Sequence, residues 1–293
     1  MIVKSIPVSH FFSWQECSDR LRPLLMQEFS VNGADHLVLA DCLLRRVMQR
    51  FEFAETLRKE AREAGLTFCG AHAPFGIHED LDNPLADERP MMIDRLKLVL
   101  KIVRDFGAES CTIHVGNVPF REYSLDDYHN CILQSLEALL PTAETCGVVI
   151  AIENIWFPTN TPEKLLAILD HFRSPFLGIC YDAGHANLMA KGMNFPESAA
   201  RDGWNGWTDE IPWDDRILEK LLPGIVTCHL HDNFGQYDNH NLPGNGNIDW
   251  QHVMSTLARA PKLRCLQNEV DSIGNQIPIA TLCRTFDRLS AMM

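Results

Sequence analysis

Short apolar runs and longer segments with apolar residues every three or four positions alternate along the whole chain. The short runs cover residues 2–8, 36–40, 66–71, 110–115, 148–152, 177–181, 225–230 and 263–267. They have strand length and little polar alternation, so they read as strands covered on both faces. The intervening segments have helical spacing over about 16–29, 46–64, 91–106, 125–146, 214–222, 249–259 and 278–292. One more helix opens at Thr161-Pro162-Glu163, where Pro occupies a favoured first-turn position. Ser13 is a start signal for the first helix, and Gly65, Gly107 and Gly147 stand at helix ends. The stretch 187–212 reads as irregular; it carries Trp204 and Trp207, with Trp213 just beyond.

Eight strand–helix units of this kind predict a parallel sheet buried by helices, closed as an α/β (β/α)8 TIM barrel. No linker, low-complexity tract or charge run divides the chain, so residues 1–293 are expected to form a single domain. An open doubly wound sheet is the alternative, but no Gly-x-Gly-x-x-Gly turn follows the first strand.

Composition narrows the class. The balance of 26 basic and 39 acidic residues gives a net charge of −13, which argues against affinity built on many phosphate contacts. The ten cysteines show no Cys-x-x-Cys spacing, and Cys69, Cys111, Cys180 and Cys228 lie inside apolar runs, as expected of reduced thiols. Met1 leads straight into the first run without the basic and apolar regions of a signal peptide. No apolar run reaches membrane-span length. A soluble, cytoplasmic protein with no membrane contact is expected.

The candidate chemistry lies where the apolar runs stop. Residues 225–228 are apolar but for Thr227, and His229, His231, Asp232, Asp238 and His240 follow before the turn Pro243-Gly244-Asn245-Gly246. Earlier runs end in His72, in His114, in Glu153 and in Asp182 with His185; the last reaches Glu269. Parallel strands in a barrel would bring all of these to the C-terminal rim. Singly, each has an ordinary explanation: a hydrogen-bonded histidine, a helix N-cap, or a plain loop residue. Together they do not, because burying so many ionisable groups without a cation costs several kcal/mol apiece, by order of magnitude. His231 and Asp232 are expected to play structural or supporting parts.

The segments His72-Ala73-Pro74-Phe75, Ile113-His114-Val115-Gly116, Ile152-Glu153-Asn154, Asp182-Ala183-Gly184-His185, His229-Leu230-His231-Asp232, residues 240–246 and Asn268-Glu269 carry a family resemblance in their order and spacing. The chain resembles the xylose isomerase-like TIM barrel superfamily, which includes sugar-phosphate isomerases and epimerases, ketose 3-epimerases and apurinic endonucleases of the endonuclease IV type. In the epimerase branch, the resemblance implies that Glu153, Asp182, His229 and Glu269 hold one divalent metal. It also implies that Glu153 and Glu269 are a catalytic acid/base pair. In the endonuclease branch, His72, His114, His185, Asp238 and His240 would extend that site to a three-metal cluster sharing Glu153.

The sugar branch fits better. The endonuclease branch opens with Gly-rich and Lys/Asn/Arg-rich segments where this chain has Ser9-His10-Phe11-Phe12-Ser13 and Asp41-Cys42-Leu43-Leu44. Gly76 stands where that branch uses a bulky side chain against DNA. Glu79, Asp80, Asp82, Asp87, Glu88, Asp202, Asp209 and Glu210 would make the rim acidic and repel a nucleic-acid backbone.

The expectation is therefore a metal-dependent isomerase or epimerase of a small carbohydrate, without a nucleic-acid partner and open to forming a homo-oligomer. A multi-zinc phosphodiesterase is the alternative. Carboxylate-rich ligation suits manganese, magnesium or cobalt, whereas the outer histidines, as ligands, would suit zinc. Trp204 and Trp207 are expected to form a substrate lid, set against the alternatives of a small surface cluster or a dimer contact. Arg121 and Arg201 are the rim cations placed to meet a substrate phosphate, and neither sits in a phosphate-binding turn.

Overall fold

A computed structural model describes residues 6–208 and 210–293. The apolar runs become β1 (Val8–His10), β2 (His36–Leu39), β3 (Thr67–His72), β4 (Ser110–Ile113), β5 (Val149–Glu153), β6 (Leu177–Asp182), β7 (Ile225–Leu230) and β8 (Cys265–Asn268). Each pairs in parallel with the next, and β8 pairs with β1, so the sheet closes as the predicted eight-stranded barrel. The helices are α1 (Arg22–Val31), α2 (Asp41–Gln49), α3 (Glu52–Glu63), α4 (Arg89–Asp105), α5 (Leu125–Cys146), α6 (Pro162–Phe172), α7 (Ala183–Lys191), α8 (Ala199–Trp204), α9 (Ile217–Leu221), α10 (Trp250–Leu257) and α11 (Ile279–Ser290).

Most boundaries follow the apolar pattern, and α5 and β7 match it end to end. Ser124 and Asp127 form a reciprocal capping box at the start of α5, and Gly147 ends it in the left-handed conformation. The first strand begins at Val8 and runs on to His10; residues 2–5 lie outside the described part. The helix expected over 16–29 starts only at Arg22, after a single 3-10 turn at Trp14–Glu16.

The expected helix over 46–64 is two helices, broken where Arg50 is extended. The break has a geometric cause. Leu43, Leu44 and Val47 face the core in α2, and Phe53, Leu57 and Ala61 face it in α3. An unbroken helix would place position 53 about 240° around from position 47, out of phase with the core.

The stretch expected to be irregular also contains regular structure. α7 begins directly after β6, with the Asp182 carboxylate accepting from the His185 backbone N–H at 2.6 Å, and α8 is capped by Ser198. Asp182 is thus both the last strand residue and a helix N-cap.

The main hydrophobic core lies between the barrel and its helices. A much smaller cluster, Val149, Ala151, Cys180 and Val226, fills part of the barrel interior, with polar company from Gln267, whose amide donates to Thr227 Oγ1 at 2.9 Å. Above this plug, the strand ends present their ionisable side chains on one rim.

Candidate metal centre

Glu153 ends β5, points inward and is buried, and four imidazoles surround it. Its Oε1 lies 3.0 Å from His229 Nδ1 and 3.4 Å from His185 Nδ1; its Oε2 lies 3.2 Å from His114 Nε2 and 3.8 Å from His72 Nε2. Glu269 Oε2 approaches the same Nδ1 of His229 at 3.2 Å, and Asp182 Oδ2 stands 3.8 Å from it. Strand register sets part of this arrangement, because Asp182 and His229 are direct partners across the β6–β7 seam.

Among the groups whose ligand atoms lie within 4.8 Å of one another, Glu153, Asp182, His229 and Glu269 form one, His72, His114 and Glu153 a second that shares Glu153, and His185, His231, Asp238 and His240 a third beside them. All nine site residues read from the sequence are therefore brought together. Buried oxygens without hydrogen-bond partners remain in the middle, Glu153 Oε2 and Asp238 Oδ1. Carboxylate and imidazole donors with orphaned lone pairs, converging at such separations, fit one or more divalent cations.

Surrounding hydrogen bonds fix the imidazole rings. His72 Nδ1–H donates to the Ala73 carbonyl at 2.8 Å, leaving Nε2 toward Glu153. His240 Nδ1–H donates to the Glu269 carbonyl at 2.7 Å, leaving Nε2 toward Asp238 at 2.9 Å. His229 Nε2 meets Thr112 Oγ1 at 3.4 Å, so its Nδ1 is the nitrogen offered to the carboxylates.

The electrostatics show how strongly the centre calls for positive charge. Burial opposes ionisation of Glu153, yet His229, His114 and His72 outweigh it and hold its carboxyl well below the usual range. Burial likewise disfavours charged His185, but Asp182, Asp238 and Glu153 raise it to about 10. His240 reaches about 10 against burial through Asp238 and Glu269.

The loop after β7 carries the third group and is organised by Asp232. This buried carboxylate accepts from the backbone N–H groups of Asn233 (3.0 Å), Gly244 (2.8 Å) and Ile248 (3.3 Å) and from Trp250 Nε1 (2.8 Å). Asp232 and Asn241 also exchange two backbone hydrogen bonds. Asp232 thus has the structural role expected of it.

His231 stands among the third group of donors. Its Nε2 lies 3.1 Å from Asp182 Oδ2 and 3.8 Å from Asp238 Oδ1, and its ring stacks on His240 at 3.9 Å. His231 lies one residue beyond the end of β7, two positions after His229. Gly184 has to be glycine here, because a Cβ there would fall 1.9 Å from His231 Cε1.

Aromatic rings not singled out by the sequence reading wall the centre. Phe11 lies 5.8 Å from both His72 and His229, Phe75 lies 4.5 Å from His114, and Trp156 lies 4.9 Å from His185. Trp204 is buried. Trp207 packs on Tyr128 at 6.0 Å, with the Arg121 guanidinium 4.4 Å above it. α8 instead backs Trp156, for a Cβ at Gly203 would come within 2.9 Å of that ring.

Arg201 is held by the carbonyls of Phe195 and Met193. Two carboxylates expected on an acidic rim are buried: Asp80 accepts from the Gly76 N–H and Asp82 from the Val118 N–H. They tie loops together instead of facing solvent. Asp209 lies outside the described residues. No helix among the described residues is long and apolar enough to cross a membrane.

Comparisons agree with this architecture. The chain is 29% identical over 201 residues to the uncharacterized protein MJ1311 of Methanocaldococcus jannaschii, covering 64% of this chain and 58% of that one. It spans less than two thirds of the length of the curated relatives it matches. In fold it is similar to D-psicose 3-epimerase of Clostridium cellulolyticum, with a TM-score of 0.70 at 15% identity over 98% and 99% of the two chains. It is also similar to 3-keto-D-glucoside 4-epimerase of E. coli, with a TM-score of 0.68 at 14% identity over 98% and 100%. Residues 32–263 match the model of one family, and the chain belongs to it: the xylose isomerase-like TIM barrels.

Proposed function

We propose that the protein is a divalent metal-dependent isomerase or epimerase of a small sugar, with Glu153 and Glu269 as its proton-transfer pair. The observation that carries this reading is the convergence of the two carboxylates on His229 Nδ1, at 3.0 and 3.2 Å, within one four-donor group. The naming of similar folds as sugar epimerases supports it.

Glu153, Asp182, His229 and Glu269 would hold the cation, which when bound would polarise a carbonyl and lower the acidity barrier of the adjacent C–H. One carboxylate would take the proton from that carbon and the other would return one, inverting the centre or moving the carbonyl. The surrounding imidazoles keep Glu153 ionised despite burial, the protonation state that a base requires. Phe11, Phe75 and Trp156 would exclude water and pack on the C–H faces of the sugar. The stretch proposed as a lid would act through Trp156, which α8 supports from behind.

Glu153→Gln and Glu269→Gln should keep the fold and lose about 10²–10⁴-fold in turnover. Full activity in either variant would overturn the assignment. A multi-zinc phosphodiesterase is the second reading, favoured by the inclusion of His72, His114, His185, Asp238 and His240 in the cluster. Cleavage of an abasic-site duplex in the presence of zinc would establish it; failure to cleave would count against it.

A further inference from the structure

A cleft of about 150 Å³ opens beside Glu269, between the segments that follow β1, β2, β7 and β8. Its inner end is formed by Glu269 and His240, so it is continuous with the carboxylate assigned to proton transfer. Phe11 separates it from His72 and His229. The outer walls present Ser13, Gln15, Asp41 and Asp271, a hydroxyl, an amide and two carboxylates.

Among the described residues, no lysine or arginine lines this cleft. Arg45 comes within 3.5 Å of Asp41, but its guanidinium is engaged by Glu79 at 2.9 Å and by the Phe75 carbonyl at 3.1 Å. Both nitrogens of His240 are occupied by Asp238 and the Glu269 carbonyl. The cleft therefore offers acceptors to hydroxyl groups and a negative field to anything anionic.

We infer that this cleft is the subsite for the end of the substrate remote from the reacting carbon, that it takes an unphosphorylated, hydroxyl-bearing chain, and that Gln15 and Asp41 are specificity-determining residues. This rests on the sugar isomerase or epimerase reading above. A phosphate ester in the outer part of the cleft would meet Asp41 and Asp271, away from the cation proposed at Glu269 and with Arg45 already committed to Glu79, whereas hydroxyl groups would find acceptors on the same side chains.

The test is exchange of substrate C–H for deuterium in heavy water, followed by NMR, with the full chain loaded with manganese. The probes are a panel of free ketopentoses and ketohexoses and their terminal phosphate esters. At least one free ketose should exchange, with kcat/KM at least tenfold above that of its phosphate ester. Asp41→Asn and Gln15→Ala should raise KM for that ketose several-fold with kcat within about twofold, and Asp41→Lys should narrow or reverse the discrimination against the ester. Preference for the phosphate ester, or unchanged KM in both the Asp41→Asn and Gln15→Ala variants, would overturn the inference while leaving the proton-transfer reading intact. No exchange into any compound by the metal-loaded protein would overturn both.

Discussion

His10 offers a quantitative check on the seam that carries the candidate site. It ends β1, pairs in register with Asn268, and is buried between Phe29 of α1 and Phe286 of α11, with ring centroids 5.5 and 5.9 Å away. Its Nδ1 has no hydrogen-bond partner. Burial, with a smaller contribution from His36, lowers its pKa from 6.5 to about 4. The folded state thus resists a proton that the unfolded chain accepts, so stability is fully present above pH 6.5 and is lost as pH falls toward 4. A displacement of about 2.5 pH units corresponds to a ceiling of about 3 kcal/mol, of which about 2 kcal/mol is lost between pH 7.5 and 5.

Replacing the ring with an apolar side chain, His10→Leu, should remove this component. Urea denaturation of both proteins across pH 4.5–8 should show the variant losing about 2 kcal/mol less than the parent over that interval. NMR titration should place the His10 pKa near 4. Parallel stability curves, or a His10 that titrates near 6.5, would refute the reasoning. The seam matters for function because Asn268 also donates to the Phe11 carbonyl at 3.0 Å and immediately precedes Glu269.

Two other perturbations address the centre. Asp232→Ala strands four buried or half-buried donors in the loop after β7; it should cost about 3 kcal/mol in urea melts and weaken metal binding at the His185, His231, Asp238 and His240 group. Because His185 and His240 are held protonated, with pKa values of about 10, a cation binding there has to displace protons, so affinity should rise with pH. Calorimetric titration with zinc near pH 7, in buffers of different ionisation enthalpy, should report about two protons released, and none released would contradict the assignment.

The barrel and the position of its chemistry were legible because apolar runs and ionisable residues meet at sharp boundaries: Ile152 to Glu153, Tyr181 to Asp182, Cys228 to His229. What escaped depends on three-dimensional phase and packing. The break between α2 and α3 is invisible in an unbroken run of good helix formers, and appears only when Val47 and Phe53 must face the same core. α7 was hidden because Asp182 closes a strand while capping a helix. His231, expected to play a structural or supporting part, stands among the third group of donors, a placement set by the loop that Asp232 organises. Trp204 and Trp207 stood out in the sequence, whereas Trp156, whose ring lies 4.9 Å from that of His185, stood in no motif. Gln15, Asp41 and Asp271 follow three different strands with no motif, and only barrel closure brings them to one cleft.

The most direct test of a metal-dependent function is elemental analysis of the full chain purified without chelator or added metal, alongside Glu153→Ala. The account predicts at least one divalent ion per chain in the parent protein, with Glu153→Ala losing it while staying folded. About one manganese, magnesium or cobalt would match the group of Glu153, Asp182, His229 and Glu269; two or three zincs would bring in the outer histidines and the phosphodiesterase reading. A parent protein that carries no metal and takes up none when titrated with manganese, cobalt or zinc would contradict the account.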